Sequence, residues 1–146
     1  MIKKFFAPGK NCVSANLALL ILRIWIGAQM LLIHGMDKLV NFKTAAHDFP
    51  DPLGVGHATS LALAVFAEVV CSALIVLGLL TRFAALVLVI NMAVAFVSVH
   101  KLALSGAHSG ELAFLYLLAY ILLFIAGPGR VSLDKGLFGN VSGQSR

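Results

Sequence analysis

Charge is what this chain has least of: Asp, Glu, Lys and Arg make up 12% of its 146 residues, and only six are acidic. A soluble domain carries roughly 25% charged residues, so a water-facing globular surface is excluded. Cysteine is scarce too. Cys12 and Cys71 lie far apart and form no CxxC pair, which argues against dithiol exchange within the chain and reads both as small buried apolar residues. Also missing are a P-loop, a dinucleotide Gly fingerprint and a Ser/His/Asp arrangement, so a self-contained ATPase, nicotinamide enzyme or hydrolase is not expected. Alternating strands of about ten residues are absent as well, which sets aside a membrane β-barrel.

Long apolar runs fill the space that charge leaves. Hydrophobic residues make up 60% of the chain and the mean hydropathy is +0.98, as expected of a small membrane protein. Four runs, Leu17 to Ile33, Leu61 to Leu80, Phe83 to Val99 and Leu112 to Ala126, approach the roughly 17–25 residues a spanning helix needs. They predict an all-α membrane fold, an antiparallel four-transmembrane-helix bundle. Its helices fall at about 15–36, 59–80, 82–100 and 111–127, and a short tail at 128–146 completes a single domain over 1–146. The first run follows Lys3, Lys4 and Lys10 as in a signal peptide. It carries Arg23 in its middle and no small-residue cleavage motif after it, and so reads as a retained helix.

Placement of Lys and Arg sets the expected orientation. Lys3, Lys4, Lys10, Arg82, Arg130, Lys135 and Arg146 fall on one side and Lys38, Lys43 and Lys101 on the other, which puts both termini in the cytoplasm. The basic excess, with pI about 9.6, then reads as orientation and contact with anionic lipid, with no nucleic-acid partner. Between the second and third helices GLLTR allows only a tight hairpin, whereas FPDPLGVG in the first loop has the Pro and Gly breaks of a lid or re-entrant segment. Glu111 opens the fourth helix, where the dipole favours a carboxylate, and Ser132 or Asp134 can cap a short segment after it.

Two ionisable residues stand inside apolar runs: Arg23 and Glu68. A charge at mid-bilayer costs about 2.5–3.5 kcal/mol on insertion scales, so each is a functional-site candidate. If the first helix begins near Ala15 and the second near Ser60, both lie about 12 Å deep, and Asn91 on the third helix about 13 Å. Arg23 and Glu68 are therefore expected to face each other or to share a polar cavity, either as a structural ion pair or as a ligand or proton site. Helical phase aligns Arg23, Gly27, Met30 and His34 on one stripe of the first helix, leaves Gln29 off it, and puts Tyr116 and Tyr120 on one face of the fourth. Their hydroxyls are candidates to meet a ligand or close the polar network, or to pack as aromatics. The histidines His34, His47, His57, His100 and His108 all fall on the non-cytoplasmic side. They are scattered, no pair has the spacing of a helical metal clamp, and no metal site is expected; His34 is the candidate proton carrier at that boundary.

Three segments carry a resemblance: LRIWIGAQMLLIHGMDKL, AEVVCSALIVLGLLTRFAAL and GPGRVSLD. In this order the chain, from about Leu17 to Asp134, resembles the DoxX family of small four-helix bacterial membrane proteins. The motif positions are Arg23, His34, Gly35, Lys38, Glu68, Gly78, Arg82, Gly127, Pro128, Gly129, Ser132 and Asp134. The resemblance implies a multi-pass protein of the bacterial inner membrane linked to redox chemistry. Family members look like small subunits of thiosulfate:quinone oxidoreductase or of a quinol oxidase, and others are tied to oxidative stress. It assigns no catalytic residue. The expectation is a subunit that binds a quinone or similar apolar redox molecule and works with a partner redox subunit or as a homo-oligomer. Arg23, His34, Glu68, Asn91, Tyr116 and Tyr120 would then handle ligand or proton, with no metal or nucleotide. The competing expectation is a non-enzymatic membrane scaffold or assembly factor whose buried polar residues only fix helix packing. A small-molecule or proton carrier is weakened by the lack of inverted repeats and broken helices.

Overall fold

Apolar side chains dictate helices here because every backbone polar group in lipid must find its partner within the segment. The computed structural model describes residues 12–106 and 109–138 and, among them, contains helices and no strand. Helix α1 is built from Cys12–Gln29, a π-helical stretch Met30–Gly35, and Met36–Val40. A single turn, α2 (Phe42–Ala45), follows in the loop. Helix α3 comprises His57–Val65, a π-helical stretch Phe66–Cys71, and Ser72–Leu77. Helix α4 runs through Thr81–Val94 into a π-helical Ala95–Val99, α5 is Glu111–Ala126, and α6 is Leu133–Phe138.

Three helices, Ala15–Val40, His57–Leu77 and Thr81–Val99, are long and apolar enough to cross a membrane. The shorter α5 has 16 residues and is about 24 Å long at 1.5 Å per residue. Their outer faces are apolar: Trp25 and Leu32 are each 65% exposed and Ile125 is 67% exposed. A surface of that kind belongs in lipid. Inside, α1 packs along α3 and α4 along α5, around a core that includes Met30, Ile75, Leu88, Tyr120 and Leu123.

The α3–α4 hairpin shows how closely the sequence controls these joints. Gly78 takes φ +70°, and its amide and that of Leu79 bond back to the carbonyls of Ile75 and Leu74, the Schellman pattern that terminates a helix. Asp134, from the segment after α5, caps the next helix: its carboxylate accepts from Leu80 N at 2.7 Å and Thr81 N at 2.9 Å. Of the two residues expected to cap the last short segment, Ser132 does so, accepting from Lys135 N at 3.2 Å, while Asp134 serves α4.

Helix α1 runs to Val40, past the expected end near residue 36. The four extra residues place Lys38 on a helix beside the core instead of in a loop. The basic residues Lys3, Lys4, Lys10 and Arg146 used for orientation, and His108, lie outside the described residues.

Candidate functional site at the Lys38 and Glu68 pair

The π-helical stretches of α1 and α3 pack against each other. A π stretch adds a residue to a helical turn and is common at functional sites. Gly35 makes the contact possible: a Cβ there would stand 2.7 Å from the Glu68 carbonyl oxygen. Glu68 lies in the centre of the α3 stretch, 4% exposed. Its Oε2 accepts from Lys38 Nζ at 2.5 Å, and its Oε1 from Asn91 Nδ2 at 3.3 Å. Lys38 is one-quarter exposed, so the ion pair stands at the margin of the core.

Arg23 is elsewhere, and the expected pairing with Glu68 does not form. Gly35 of α1 lies opposite Glu68, and Gly27 lies opposite Ser72 and Val76. Arg23 is therefore level with Gly78, twelve residues from Gly35, which is about 18 Å along the helix. Equal depth was inferred from presumed helix starts at Ala15 and Ser60; the actual register between α1 and α3 separates the two charges. The guanidinium donates instead to the carbonyl oxygens of Pro128, through Nη1, and of Val131, through Nη2 at 2.8 Å. Its Nε is buried without a hydrogen bond, and Asp134 supplies opposite charge nearby. Arg130 N donates to Asn16 Oδ1 at 2.8 Å. This second cluster is a latch that holds the segment after α5 against α1 and the α3–α4 turn.

Two cavities meet at the Lys38 and Glu68 pair. The larger, 460 Å³, lies between α3 and α4 and has Lys38, Glu68, Asn91 and Ser60 among apolar walls. The FPDPLGVG loop covers it with Phe49, Pro50, Pro52 and Leu53, as expected of a lid. Asp51 ties this loop down. Its Oδ1 accepts from Ser60 Oγ at 2.7 Å and Val55 N at 3.0 Å, its Oδ2 from Gly56 N at 2.8 Å, and His57 Nδ1 lies 2.6 Å from Phe49 O. The Ser60 hydroxyl, seconded by the two amides, holds the Asp51 carboxyl below its ordinary 3.8.

The smaller cavity, 230 Å³, lies between α1, α4 and α5, and His34, Ser109 and Tyr116 join Lys38, Glu68 and His100 in its wall. His34 meets the edge of Tyr116 with ring centroids 5.8 Å apart. The Tyr116 hydroxyl reaches Gln29 Oε1 at 3.5 Å, so Gln29 bonds a neighbouring helix. Tyr120 stacks on Tyr116 at 6.1 Å but is fully buried, and its hydroxyl is directed to Ile26 O at 3.5 Å.

Of the six candidates, Glu68, Asn91, His34 and Tyr116 thus gather around the two cavities, while Arg23 belongs to the latch and Tyr120 to the core. Lys38 is the site residue missing from that set. Its position four residues after His34 puts both on one helical face once α1 is carried through to Val40. Among the described residues, no group of three or more His, Cys, Asp or Glu side chains could hold a metal.

Fold and site together define a small α-helical membrane protein with a part-buried lysine–carboxylate pair beside an apolar cavity. The chain belongs to the DoxX family, whose model matches residues 18–101. That stretch carries α1, α3 and α4 and hence the Lys38, Glu68 and Asn91 site. An uncharacterized protein of Haemophilus influenzae is 34% identical over 116 residues, 76% of this chain and 84% of that protein. An uncharacterized membrane protein of Mycobacterium tuberculosis is 34% identical over 137 residues, 80% of this chain and 78% of that protein. No solved structure matches.

Proposed function

We propose that this chain is a multi-pass protein of the bacterial inner membrane that binds a quinone or similar lipophilic redox molecule in the 460 Å³ cavity and works with a partner redox subunit. The observation that carries the reading is the cavity's composition: apolar walls with one polar end, where Lys38, Glu68 and Asn91 converge. Such a site suits a lipophilic ring with a carbonyl or hydroxyl head. Lys38 Nζ and Asn91 Nδ2 are donors for a carbonyl oxygen, and Glu68 is an acceptor for a hydroxyl. When bound, a quinone supplies the electron-carrying group, and the side chains orient it.

In this reading all four long helices, α1, α3, α4 and α5, cross the bilayer as an antiparallel bundle with both termini cytoplasmic. Arg82, Arg130 and Lys135 lie towards the hairpin end, while Lys43 and Lys101 lie in the loops at the other, a distribution that supports this orientation.

The test is lipid extraction and mass spectrometry of the purified protein, followed by titration with a short-chain ubiquinone analogue. A co-purified quinone, and analogue binding weakened in Lys38→Met, are expected. No co-purified quinone, together with unchanged analogue binding in a folded Lys38→Met variant, would sink the reading. The Arg23 latch favours a second reading, a scaffold or assembly factor, because it commits a buried charge wholly to chain packing. A partner complex that survives Lys38→Met with Glu68→Leu but is lost in Arg23→Leu would select it.

A further inference from the structure

The two cavities differ in their walls: the larger is mostly apolar, whereas the smaller has His34, Ser109, Tyr116, Lys38 and Glu68 in its lining. Leu63 and Ile90 line the larger one and are 53% and 57% exposed on the apolar outer face, which faces lipid. The smaller one opens beside Leu112, 52% exposed, and Ser109, at the end of the molecule that carries the α1–α3 and α4–α5 loops. Its 230 Å³ could hold roughly seven waters at about 30 Å³ each. Its polar wall, with His34, Ser109, Tyr116 and Glu68, offers the partners such waters need. Lys38, Glu68, Ala95 and His100 line both cavities, so the ion pair borders a mostly apolar cavity and a smaller, more polar one.

We propose that the smaller cavity is a proton port, through which Glu68 exchanges protons with external water while the Lys38 and Glu68 pair separates the port from the lipid-side cavity. The inference rests on the reading of the larger cavity as the ligand site. A proton arriving through the port neutralises the Glu68 carboxylate and releases the Lys38 ammonium from its partner. Loss of that proton to port water restores the pair, and nothing is oxidised or reduced. The groups around Glu68 come from the neighbouring elements: His34 and Lys38 on α1, with Asp37 acting on His34, Asn91 on α4, His100 just beyond it, and Tyr116 and Tyr120 on α5. His34 and Tyr116, in edge-to-face contact, flank the path between the mouth and Glu68.

Single cysteines test the port directly, on a Cys12→Ser background in which Cys71 is buried. Ala113→Cys lines the port and Val94→Cys lines the larger cavity. In reconstituted vesicles a charged, water-soluble methanethiosulfonate should modify Ala113→Cys at least about tenfold faster than Val94→Cys, since reactivity follows access of the reagent to a thiolate. Equal rates, or faster reaction at Val94→Cys, would overturn the port. A second measurement lowers the pH until the protonated Glu68 carboxyl band appears in the infrared, identified by its loss in Glu68→Gln, and follows the deuterium exchange of that band. Filling the port with Ala113→Trp should slow that exchange about tenfold while ubiquinone-analogue binding is retained; unchanged exchange in the folded variant counts against the port. Loss of analogue binding in Lys38→Met bears on the ligand reading alone, so the two ideas fail separately.

Discussion

Replacing Lys38 with methionine removes one partner of a carboxylate that is 4% exposed and keeps most of the aliphatic stem. Breaking a buried ion pair costs about 3–5 kcal/mol, because the remaining charge is left desolvated. Lys38 is itself one-quarter exposed and Asn91 still donates to Glu68, so the lower end, about 3 kcal/mol, is expected. For a chain of this size that corresponds to a fall in Tm on the order of 10 °C. Adding Glu68→Leu removes the stranded charge, and the double variant should return to within about 1 kcal/mol of the parent. Circular dichroism melts of purified protein in detergent, for the parent, both single variants and the double variant, give the full cycle. The reasoning is refuted if Lys38→Met costs less than about 0.5 kcal/mol, as a solvated surface pair would, or if the two substitutions are additive within about 0.3–0.5 kcal/mol, as independent sites are.

Arg23→Leu strands the carbonyls of Pro128 and Val131 and should cost about 1–3 kcal/mol, with faster proteolysis of the segment after α5; an unchanged cleavage pattern would dismiss the latch. Asp134→Ala removes the cap on Leu80 N and Thr81 N and should cost about 1 kcal/mol, read by the same melts. Gly35→Val drives a side chain into the Glu68 carbonyl and should destabilise by about 1–3 kcal/mol; a neutral result would mean that α1 and α3 are not in contact there. The Asp51 carboxyl is held below 3.8 in the folded chain, so its tether on the lid is complete above that pH and is lost as pH falls through the lowered value. Protection of the Val55 and Gly56 amides against hydrogen exchange, taken relative to the intrinsic rate at each pH, should fall in acid in the parent, and be low already at neutral pH in Asp51→Ala without a further acid-induced loss.

The long helices were legible because apolar runs broken by GLLTR and FPDPLGVG leave little choice of number and order, although the end of α1 at Val40 was not, and the loop's prolines and glycines marked a break in helix. The stripe from Arg23 through Gly27 and Met30 to His34 was drawn at 100° per residue, and the π-helical Met30–Gly35 changes that phase: Gly27 faces α3, whereas His34 meets Tyr116 on α5. Register between helices was not legible either. It depends on where one surface gives way to another, and here Gly35 fixes it by letting α1 approach the Glu68 backbone. A count of depth from presumed helix starts could not contain that contact, and it set Arg23 beside Glu68 when the two lie at different levels.

The same displacement explains why Lys38 was read as a loop residue. With α1 taken to end near residue 36, a lysine at 38 can only help set orientation; with α1 continued to Val40, its ammonium reaches a carboxylate on α3. The π-helical stretches at Met30–Gly35 and Phe66–Cys71 have no signature in hydropathy, yet they pack together at the level of Glu68. The motif positions consequently divide by task. Arg23, Gly78, Pro128 and Asp134 close the hairpin end by binding backbone or making room for it, and Arg23 lines neither of the two cavities. His34, Gly35, Lys38 and Glu68 meet at the other end, where the ion pair lines both the apolar cavity and the smaller polar one. Only the second group combines charge with open volume, and so the site is placed there.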